Sequence, residues 1–211
     1  MNQQWQAHYT KKKSELRYPD ENLVRLLASY LKDRDAAKIS AADIGCGSGR
    51  HLSLLKDFNI NKIIGIDNSL NALSIAANSR TYLIAGDNRA LPLKDDSVDI
   101  IIAWGSLHYN HKNELPVMIN EILRALKTGG CLFATLRSSR DTLMKKGSHL
   151  GNDVWETSLN DIAGATVSFF SENELGACFA LFSKTQYGLI ERTPVGDTGS
   201  LISHWVIRAE K

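Results

Sequence analysis

The chain has 211 residues, of which 43% are hydrophobic and 23% are charged, and its formal net charge at pH 7 is +2. These values are typical of a single globular domain that is long enough to bury one sizeable core. Binding to nucleic acid usually needs a clustered basic face, and the longest basic run is Lys11, Lys12 and Lys13. A nucleic-acid partner is therefore not favoured, and the lysine triplet is interpreted as a solvated surface.

The N-terminal residues are polar, and no apolar run approaches the roughly 18 residues that would suggest a membrane span. The three cysteines, Cys46, Cys131 and Cys178, are widely spaced along the chain. An odd number without regular spacing favours buried thiols in a reducing compartment over a disulfide framework or a zinc site. We therefore expect a cytoplasmic protein, monomeric or homodimeric, with no membrane segment and no metal site.

Apolar residues at helical spacing predict a first helix over residues 20–32, with Asp20 as its N-cap. The pattern then alternates between strand and helix. Strands are predicted at residues 39–44, 62–66, 82–85, 98–103 and 131–136, and helices at residues 48–58, 70–78 and 115–126. This alternation implies right-handed crossovers and a parallel sheet with helices on both faces.

The C-terminal part of the chain has a different pattern. Ser171 and Glu174 form a capping box that opens a last helix, to about Ala180. Two β-rich runs, at residues 184–192 and 201–209, are separated by a turn-rich loop too short to hold a helix, so they should pair antiparallel. We therefore predict one α/β domain with a doubly wound, mostly parallel, seven-stranded sheet that ends in an antiparallel hairpin.

The strongest local signal is the run ADIGCGSG at residues 42–49, which follows the first strand and opens the next helix. Glycines are needed where a ligand approaches the backbone and where a turn is tight. Dinucleotide sites usually read G-x-G-x-x-G, whereas this chain reads G-x-G-x-G with Asp43 two positions before the first glycine. An NAD(P)-binding Rossmann protein is the alternative, and this spacing, the preceding helix and the terminal hairpin all count against it.

The segment DIGCGSG resembles motif I of the class I S-adenosylmethionine-dependent methyltransferases, and later motifs follow in that family's order. Asp67, at the end of the second strand, resembles the acidic residue that takes both ribose hydroxyls. Asp87, in the sequence GDN, resembles the carboxylate that accepts from the adenine amine. Residues 90–99 and 124–130 are similar to segments of the methyltransferase type 11 group, and the resemblance covers about residues 37–136.

This resemblance implies a Rossmann-like enzyme that transfers a methyl group from S-adenosylmethionine to an acceptor and releases S-adenosylhomocysteine. It implies the following donor-binding residues: Asp43, Gly45, Cys46, Gly47, Gly49, Asp67, Asn68, Asp87, Asn88 and Trp104. It also implies a division into an N-terminal helical cap (1–36), a donor-binding core (37–136), an acceptor-side insert (137–168) and a last helix with a hairpin (169–211). A non-catalytic donor-binding or regulatory protein of the same fold stays open, since its binding residues would look the same.

Two residues after the fourth strand each have two interpretations. Trp104 either lines the pocket near the donor methyl group or packs under the following helix. His108 lies where members of this group often carry a histidine on the acceptor side, and a histidine can deprotonate an oxygen or nitrogen acceptor near neutral pH. A structural histidine is the other interpretation. His51, His111 and His149 show no metal-ligand spacing.

Two segments, residues 5–19 and 137–166, are richer in polar and aromatic groups than a core element needs. We expect them to cover the methyl side of the donor; the alternative is that they merely decorate the surface. The insert contains no recognisable specificity code, so the expected acceptor is a small molecule, a metabolite or a sugar-like compound, whose reacting atom the sequence does not reveal.

Overall fold

The computed structural model describes residues 3–11 and 15–211, so Lys12 and Lys13 of the basic triplet lie outside the described residues. The helices are α1 (Gln3–His8), α2 (Glu21–Leu31), α3 (Arg50–Asp57), α4 (Leu70–Ala76), α5 (Leu115–Ala125) and α6 (Glu172–Cys178). The strands are β1 (Ser40–Ile44), β2 (Lys62–Asp67), β3 (Tyr82–Ala85), β4 (Val98–Ala103), β5 (Leu126–Ser138), β6 (Gly147–Gly151), β7 (Val154–Thr157), β8 (Thr166–Phe170), β9 (Lys184–Arg192) and β10 (Ile202–Glu210).

The centre of the fold is a parallel sheet with strand order β3-β2-β1-β4-β5. Strand β10 pairs antiparallel with β5 and with β9, and His204 lies opposite Arg137 on one side and Ile190 on the other. The predicted doubly wound, mostly parallel α/β fold and its terminal antiparallel hairpin are confirmed. Parallel strands in this arrangement all present their carboxyl ends at the same edge of the sheet.

The sheet has ten strands within the described residues rather than seven, because the insert after β5 forms three strands of its own. Strand β8 pairs parallel with the last residues of β5, where Arg137 lies opposite Phe169. Strands β7 and β6 then add antiparallel beyond β8. All five residues of β6 are exposed, so the alternation of apolar and polar residues that identifies a strand is missing there.

Two apolar clusters cover the two faces of the sheet. One contains Ile119 of α5 and Leu175 of α6, and the other contains Leu27 of α2, Leu55 of α3 and Phe133 of β5. The helix starts agree with the sequence prediction. The Asp20 side chain accepts a hydrogen bond from the N–H of Asn22, and the capping box of Ser171 and Glu174 opens α6. The helices pack on both faces of the sheet through these clusters. This packing holds in place the edge of the sheet where the glycine-rich loop lies.

The described helices do not include one that is long and apolar enough to cross a lipid bilayer. All three cysteines are free thiols, with Cys46 and Cys131 buried and Cys178 half-buried. Across residues 3–11 and 15–211, no group of three or more His, Cys, Asp or Glu side chains is arranged to hold a metal ion.

Candidate active site

A cleft of about 710 Å³ lies at the carboxyl ends of the parallel strands. Gly45 follows β1, Asp67 ends β2, Asp87 follows β3 and Ser106 follows β4, and all four line this cleft. Open α/β sheets bind their ligands at this edge, and the volume is within the range of small-molecule and cofactor sites. The cleft is therefore the candidate active site.

The glycine-rich loop is shaped by two close approaches of protein groups. Gly45 and Gly47 have φ angles of +69° and +54°, which side chains rarely adopt. A Cβ atom on Gly45 would overlap the Cβ of Ser106, and a Cβ atom on Gly47 would overlap the hydroxyl oxygen of Tyr9. The sequence analysis assigned the missing side chains to an approaching ligand, whereas in the structure Ser106 and Tyr9 occupy that space.

Asp67 is held rigidly at the wall of the cleft. Its Oδ2 accepts a hydrogen bond of 2.9 Å from the N–H of Gly47, and its Oδ1 accepts one of 2.8 Å from the N–H of Ser69. Burial raises the pKa of Asp67, and the hydrogen bonds from Ser69 and Gly47 oppose that shift by stabilising the charged form. Each carboxylate oxygen accepts more than one hydrogen bond, so Asp67 retains acceptor capacity toward the cleft.

Asp87 lines the far end of the cleft, together with Asn88, while Asn68 lines the middle. The Asp87 carboxylate accepts hydrogen bonds of 2.8 Å and 2.6 Å from Nε and Nη2 of Arg89, which also contacts Glu114 at 2.5 Å. These bonds from Arg89 hold the pKa of Asp87 below its ordinary value. The sequence analysis did not anticipate this pairing, which orients the carboxylate before any ligand arrives.

Asp43 lies behind the cleft and is not part of its lining. It is 1% exposed, its Oδ2 has no hydrogen-bond partner within the described residues, and Nδ1 of His51 is 3.9 Å away. Burial raises the pKa of Asp43 to about 7, and burial lowers the pKa of His51 to about 3, so His51 is neutral at physiological pH. Cys46 is buried beneath the same loop, and Gly49 is the residue before α3.

Trp104 does not line the cleft. It is 8% exposed and lies in the apolar cluster with Phe133, with its ring edge-on to that of His51 at 6.5 Å between centroids. The structure thus favours the packing interpretation of Trp104, and its place near the donor stays a prediction. Successive side chains along β4 and the residue after it point to opposite faces of the sheet. Trp104 points to the face that α2 and α3 cover, and away from the cleft.

His108 is also absent from the lining of the cleft. It is 1% exposed, its Nδ1 is 3.3 Å from the carbonyl oxygen of Thr135, and its ring lies between those of Tyr109 and His204. Burial, with the nearby Arg137 as a smaller cause, lowers the pKa of His108 well below its ordinary value. In this structure His108 packs in the interior outside the lining of the cleft, and its assignment as a catalytic base stays a prediction.

The lining of the cleft also includes Trp5 and Tyr9, which belong to the segment expected to cover the donor, and Ser106, which the sequence did not indicate. Tyr9 and Trp5 reach it from α1 and the residue that follows, and the Trp5 ring meets that of Tyr109 edge-on at 4.8 Å. The Ser106 Oγ is buried there and has no partner among the described residues. The spacing of Trp5 and Tyr9, four residues apart, was a usable signal for one helical face, but nothing near Ser106 marked it.

Comparisons with known proteins agree with this geometry. A family model described as a methyltransferase domain matches residues 41–130. The crystal structure of an S-adenosylmethionine-dependent methyltransferase from Methanosarcina mazei superimposes with a TM-score of 0.67 and 20% identity, over 86% of this chain and 96% of that one. Residues 41–130 therefore form a methyltransferase domain, and the solved neighbours share its fold. Its cofactor is S-adenosylmethionine.

Two curated relatives of this methyltransferase match over part of their length. A mouse tRNA (carboxymethyluridine(34)-5-O)-methyltransferase is 31% identical over 105 residues, which is 49% of this chain and 15% of that protein. A malonyl-[acyl-carrier protein] O-methyltransferase from Xylella fastidiosa is 33% identical over 129 residues, 57% of this chain and 42% of that protein. The chain spans less than half the length of either relative.

The groups around the cleft fit this cofactor. A fixed carboxylate, Asp67, supplies acceptors for a diol, and Ser106 offers a buried hydroxyl that has no protein partner in the described part of the chain. Asn68 and Asn88 add amide groups that both donate and accept. These acceptors and donors are complementary to the hydroxyl and amine groups of a nucleoside.

The contact between Gly47 and Tyr9 is testable by a double-mutant cycle. Gly47→Ala should lower the free energy of unfolding by about 1–3 kcal/mol, because a side chain at a positive φ is strained and the added Cβ displaces the Tyr9 hydroxyl. Adding Tyr9→Ala should recover part of that loss. Gly129→Ala is the control, since its φ is also positive, at +75°, and nothing lies within 4 Å of a Cβ there. Urea denaturation is measured for the parent, Gly47→Ala, Tyr9→Ala, the double variant and the control, and strict additivity would contradict the contact.

Proposed function

We propose that this methyltransferase transfers the methyl group of S-adenosylmethionine to a small, uncharged acceptor that binds beside Trp5, Ser106 and Tyr109. The observation that carries the proposal is the cleft itself, which is lined by Asp67, held by backbone hydrogen bonds, and by Ser106, whose buried hydroxyl has no partner among the described residues. The relatives' own substrates are larger molecules, so the acceptor is argued from this chain's residues.

The strand order suggests how the donor lies. Asp87 follows β3, Asp67 ends β2, the glycine-rich loop follows β1 and Ser106 follows β4, in the order in which these strands stand in the sheet. Asp87 would hold the adenine end, Asp67 the ribose, and the glycine-rich loop the methionine end. Asp43, Cys46 and Gly49 would support this loop from behind, without touching the ligand.

The bound cofactor supplies an activated methyl group on its sulfonium, so the main task of the protein is to align the acceptor. Trp5 and Tyr109 form an edge-to-face pair that would exclude water from one side of the cleft. The Ser106 hydroxyl would orient the acceptor by one hydrogen bond. Since His108 is buried and neutral outside the cleft, we assign no proton transfer to it.

The charges at the cleft favour an uncharged acceptor. Among the described residues of its lining, Arg89 is the one Lys or Arg side chain, and Asp87 and Glu114 both pair with it. The acceptor end is instead aromatic and polar, with Asn110 and Thr166 beside the Trp5–Tyr109 pair. A sugar-like or planar metabolite is suited to such a surface, because it offers hydroxyl groups and an apolar face.

The insert also lacks the pattern of a nucleic-acid surface. Its cationic side chains each have a carboxylate partner: Arg140 with Glu191, Lys145 with Asp153, and Lys146 with Asp197. Phosphate binding requires cations that are free to replace counterions. These pairs therefore favour a small molecule over the tRNA that the mouse relative's name specifies.

We also propose that α1 and the insert together form the lid over the cleft. Gln4 Nε2 donates to the carbonyl oxygen of Ala163 at 2.6 Å, and His8 Nδ1 lies 2.9 Å from that of Asp161. At the other side of α1, the Gln6 side chain accepts from the N–H of Asn71 at 3.1 Å. One short helix thus connects the insert to the start of α4, next to Asp67.

Donor binding is the first test of the function. Calorimetry should detect S-adenosylhomocysteine but not NADH, and Asp67→Asn should weaken S-adenosylhomocysteine by at least about tenfold, because hydrogen bonds to a charged group contribute roughly 1.5–3 kcal/mol each. Asp57→Asn makes the same chemical change at an exposed position of α3 and should have no effect. Binding of NADH in place of S-adenosylhomocysteine would overturn the proposal.

The acceptor class is tested by following label from methyl-labelled S-adenosylmethionine. We expect incorporation into a low-molecular-weight metabolite fraction and none into purified total tRNA. Trp5→Ala should reduce incorporation by roughly fivefold or more, as expected for the loss of an aromatic contact, while the affinity for S-adenosylhomocysteine stays close to that of the parent. Label that appears in tRNA would show that the small-molecule assignment is wrong.

The lid is tested by hydrogen exchange on the free and S-adenosylhomocysteine-bound protein. Amide hydrogens of residues 4–9 and 159–164 should gain protection together on binding, as gating elements commonly do. In Gln4→Ala/His8→Ala, the protection of residues 159–164 should be lost and that of residues 4–9 retained. If the insert is protected to the same extent in that variant, α1 does not hold it closed.

A further inference from the structure

Arg89 lines the far end of the cleft, beside Asp87 and Glu114. Its Nε and Nη2 atoms donate to the two carboxylate oxygens of Asp87, at 2.8 Å and 2.6 Å, and its Nη1 donates to Oε1 of Glu114 at 2.5 Å. A guanidinium is planar and carries its donors in a rigid fork. The plane of Arg89 therefore fixes the direction of the Asp87 carboxylate.

Glu114 anchors this fork to the backbone. It is the last residue of the short 3₁₀ helix that precedes α5, and its Oε2 accepts a hydrogen bond of 2.9 Å from the N–H of His111. Its other oxygen accepts from Arg89. The Asp87 side chain is 38% exposed, and the last torsion of an aspartate is broad when nothing holds it. Through Arg89, Asp87 is held by the segment between β4 and α5.

The two oxygens of Asp87 differ in the hydrogen bonds that they can still accept. Oδ1 accepts from Nε of Arg89 and, at 2.9 Å, from the backbone N–H of Arg89, which fills its two lone-pair positions. Across residues 3–11 and 15–211, Oδ2 accepts from Nη2 of Arg89 alone. The bonds from Arg89 also lower the pKa of Asp87, so this carboxylate is charged at neutral pH. One strong acceptor position therefore remains, on Oδ2.

A single acceptor position of fixed direction selects for a ligand that carries a donor there. The placement of the adenine end of the donor at Asp87 rests on the function proposed above, and adenine offers the hydrogens of its 6-amine. A purine without the amine would leave Oδ2 unpaired, and sites built to hydrogen-bond a ligand discriminate against analogues that lack the bonding group.

We propose that Arg89 is a positioning residue that makes the donor site selective for a 6-aminopurine, by fixing Oδ2 of Asp87 as the acceptor, with Glu114 as the anchor of its guanidinium. Arg89 acts through Asp87 and not on the base. Its charge alone is insufficient for this role, because the ammonium group of a lysine cannot hold two carboxylates in the plane of a fork.

The experiment is calorimetry on the full chain with two ligands. S-adenosylhomocysteine carries the 6-amine, and its 6-deamino analogue has a hydrogen atom in that place and is otherwise identical. The variants are Arg89→Lys, Asp87→Ala and the two changes together. The matched control is Arg25→Lys on α2, since Arg25 also donates to a carboxylate, that of Glu21, through Nε and Nη2. Unfolding midpoints establish that every variant is folded.

The parent should bind S-adenosylhomocysteine at least about tenfold more tightly than the deamino analogue. Arg89→Lys should weaken S-adenosylhomocysteine by roughly fivefold and change the affinity for the analogue by less than about twofold. In the Asp87→Ala background the same change should have no further effect, because Arg89 acts through Asp87. Arg25→Lys should match the parent with both ligands.

Equal losses for the two ligands in Arg89→Lys would mean that Arg89 supports the site in general, and would overturn the proposal. Tighter binding of S-adenosylhomocysteine would show that Arg89 competes with the base for Asp87, with the same consequence. An unchanged affinity would show that the charge suffices without the fork. If the parent binds both ligands equally, Asp87 does not meet the amine and the proposal fails while the donor site stands. If the parent binds neither, the donor site itself is refuted.

Discussion

The Asp67 carboxylate is the interaction on which the rest of the cleft depends. Its two oxygens accept from the N–H groups of Gly47 and Ser69, so one side chain joins the glycine-rich loop after β1 to the start of α4. A buried carboxylate is costly unless it is hydrogen-bonded, and here backbone amides meet that requirement without a cation. The two carboxylate oxygens are therefore fixed in place at the cleft wall, where each can accept a further hydrogen bond.

The second constraint is the absence of side chains at Gly45 and Gly47. It lets Ser106 approach from the end of β4 and Tyr9 approach from the N-terminal segment, so groups from distant parts of the chain meet above a single loop. A larger residue at either position would strain the backbone and separate these groups. The two glycines therefore serve contacts within the protein.

The N-terminal helix and the insert are parts of this chain that the matched family model does not include. The family model ends at residue 130, whereas α1, β6, β7 and β8 lie outside it. The Gln4 side chain donates to Ala163 of the insert and the Gln6 side chain accepts from Asn71 of α4, so α1 connects the insert to α4. Turnover would then depend on a segment that contributes little to the core and can move without unfolding the sheet.

The sequence by itself determined the parallel core, the terminal hairpin, the caps at Asp20 and Ser171 and the cleft position of Asp67, because each follows from local periodicity or from a motif next to a strand end. Tertiary structure decided what local pattern does not contain. Trp104 and His108 are buried in the core, and Asp87 pairs with Arg89. The insert forms three strands, although the exposed residues of β6 show no alternation of apolar and polar side chains. Tertiary structure also brought Tyr9 to Gly47, since contacts between residues far apart in sequence depend on how the helices pack and leave no local signal.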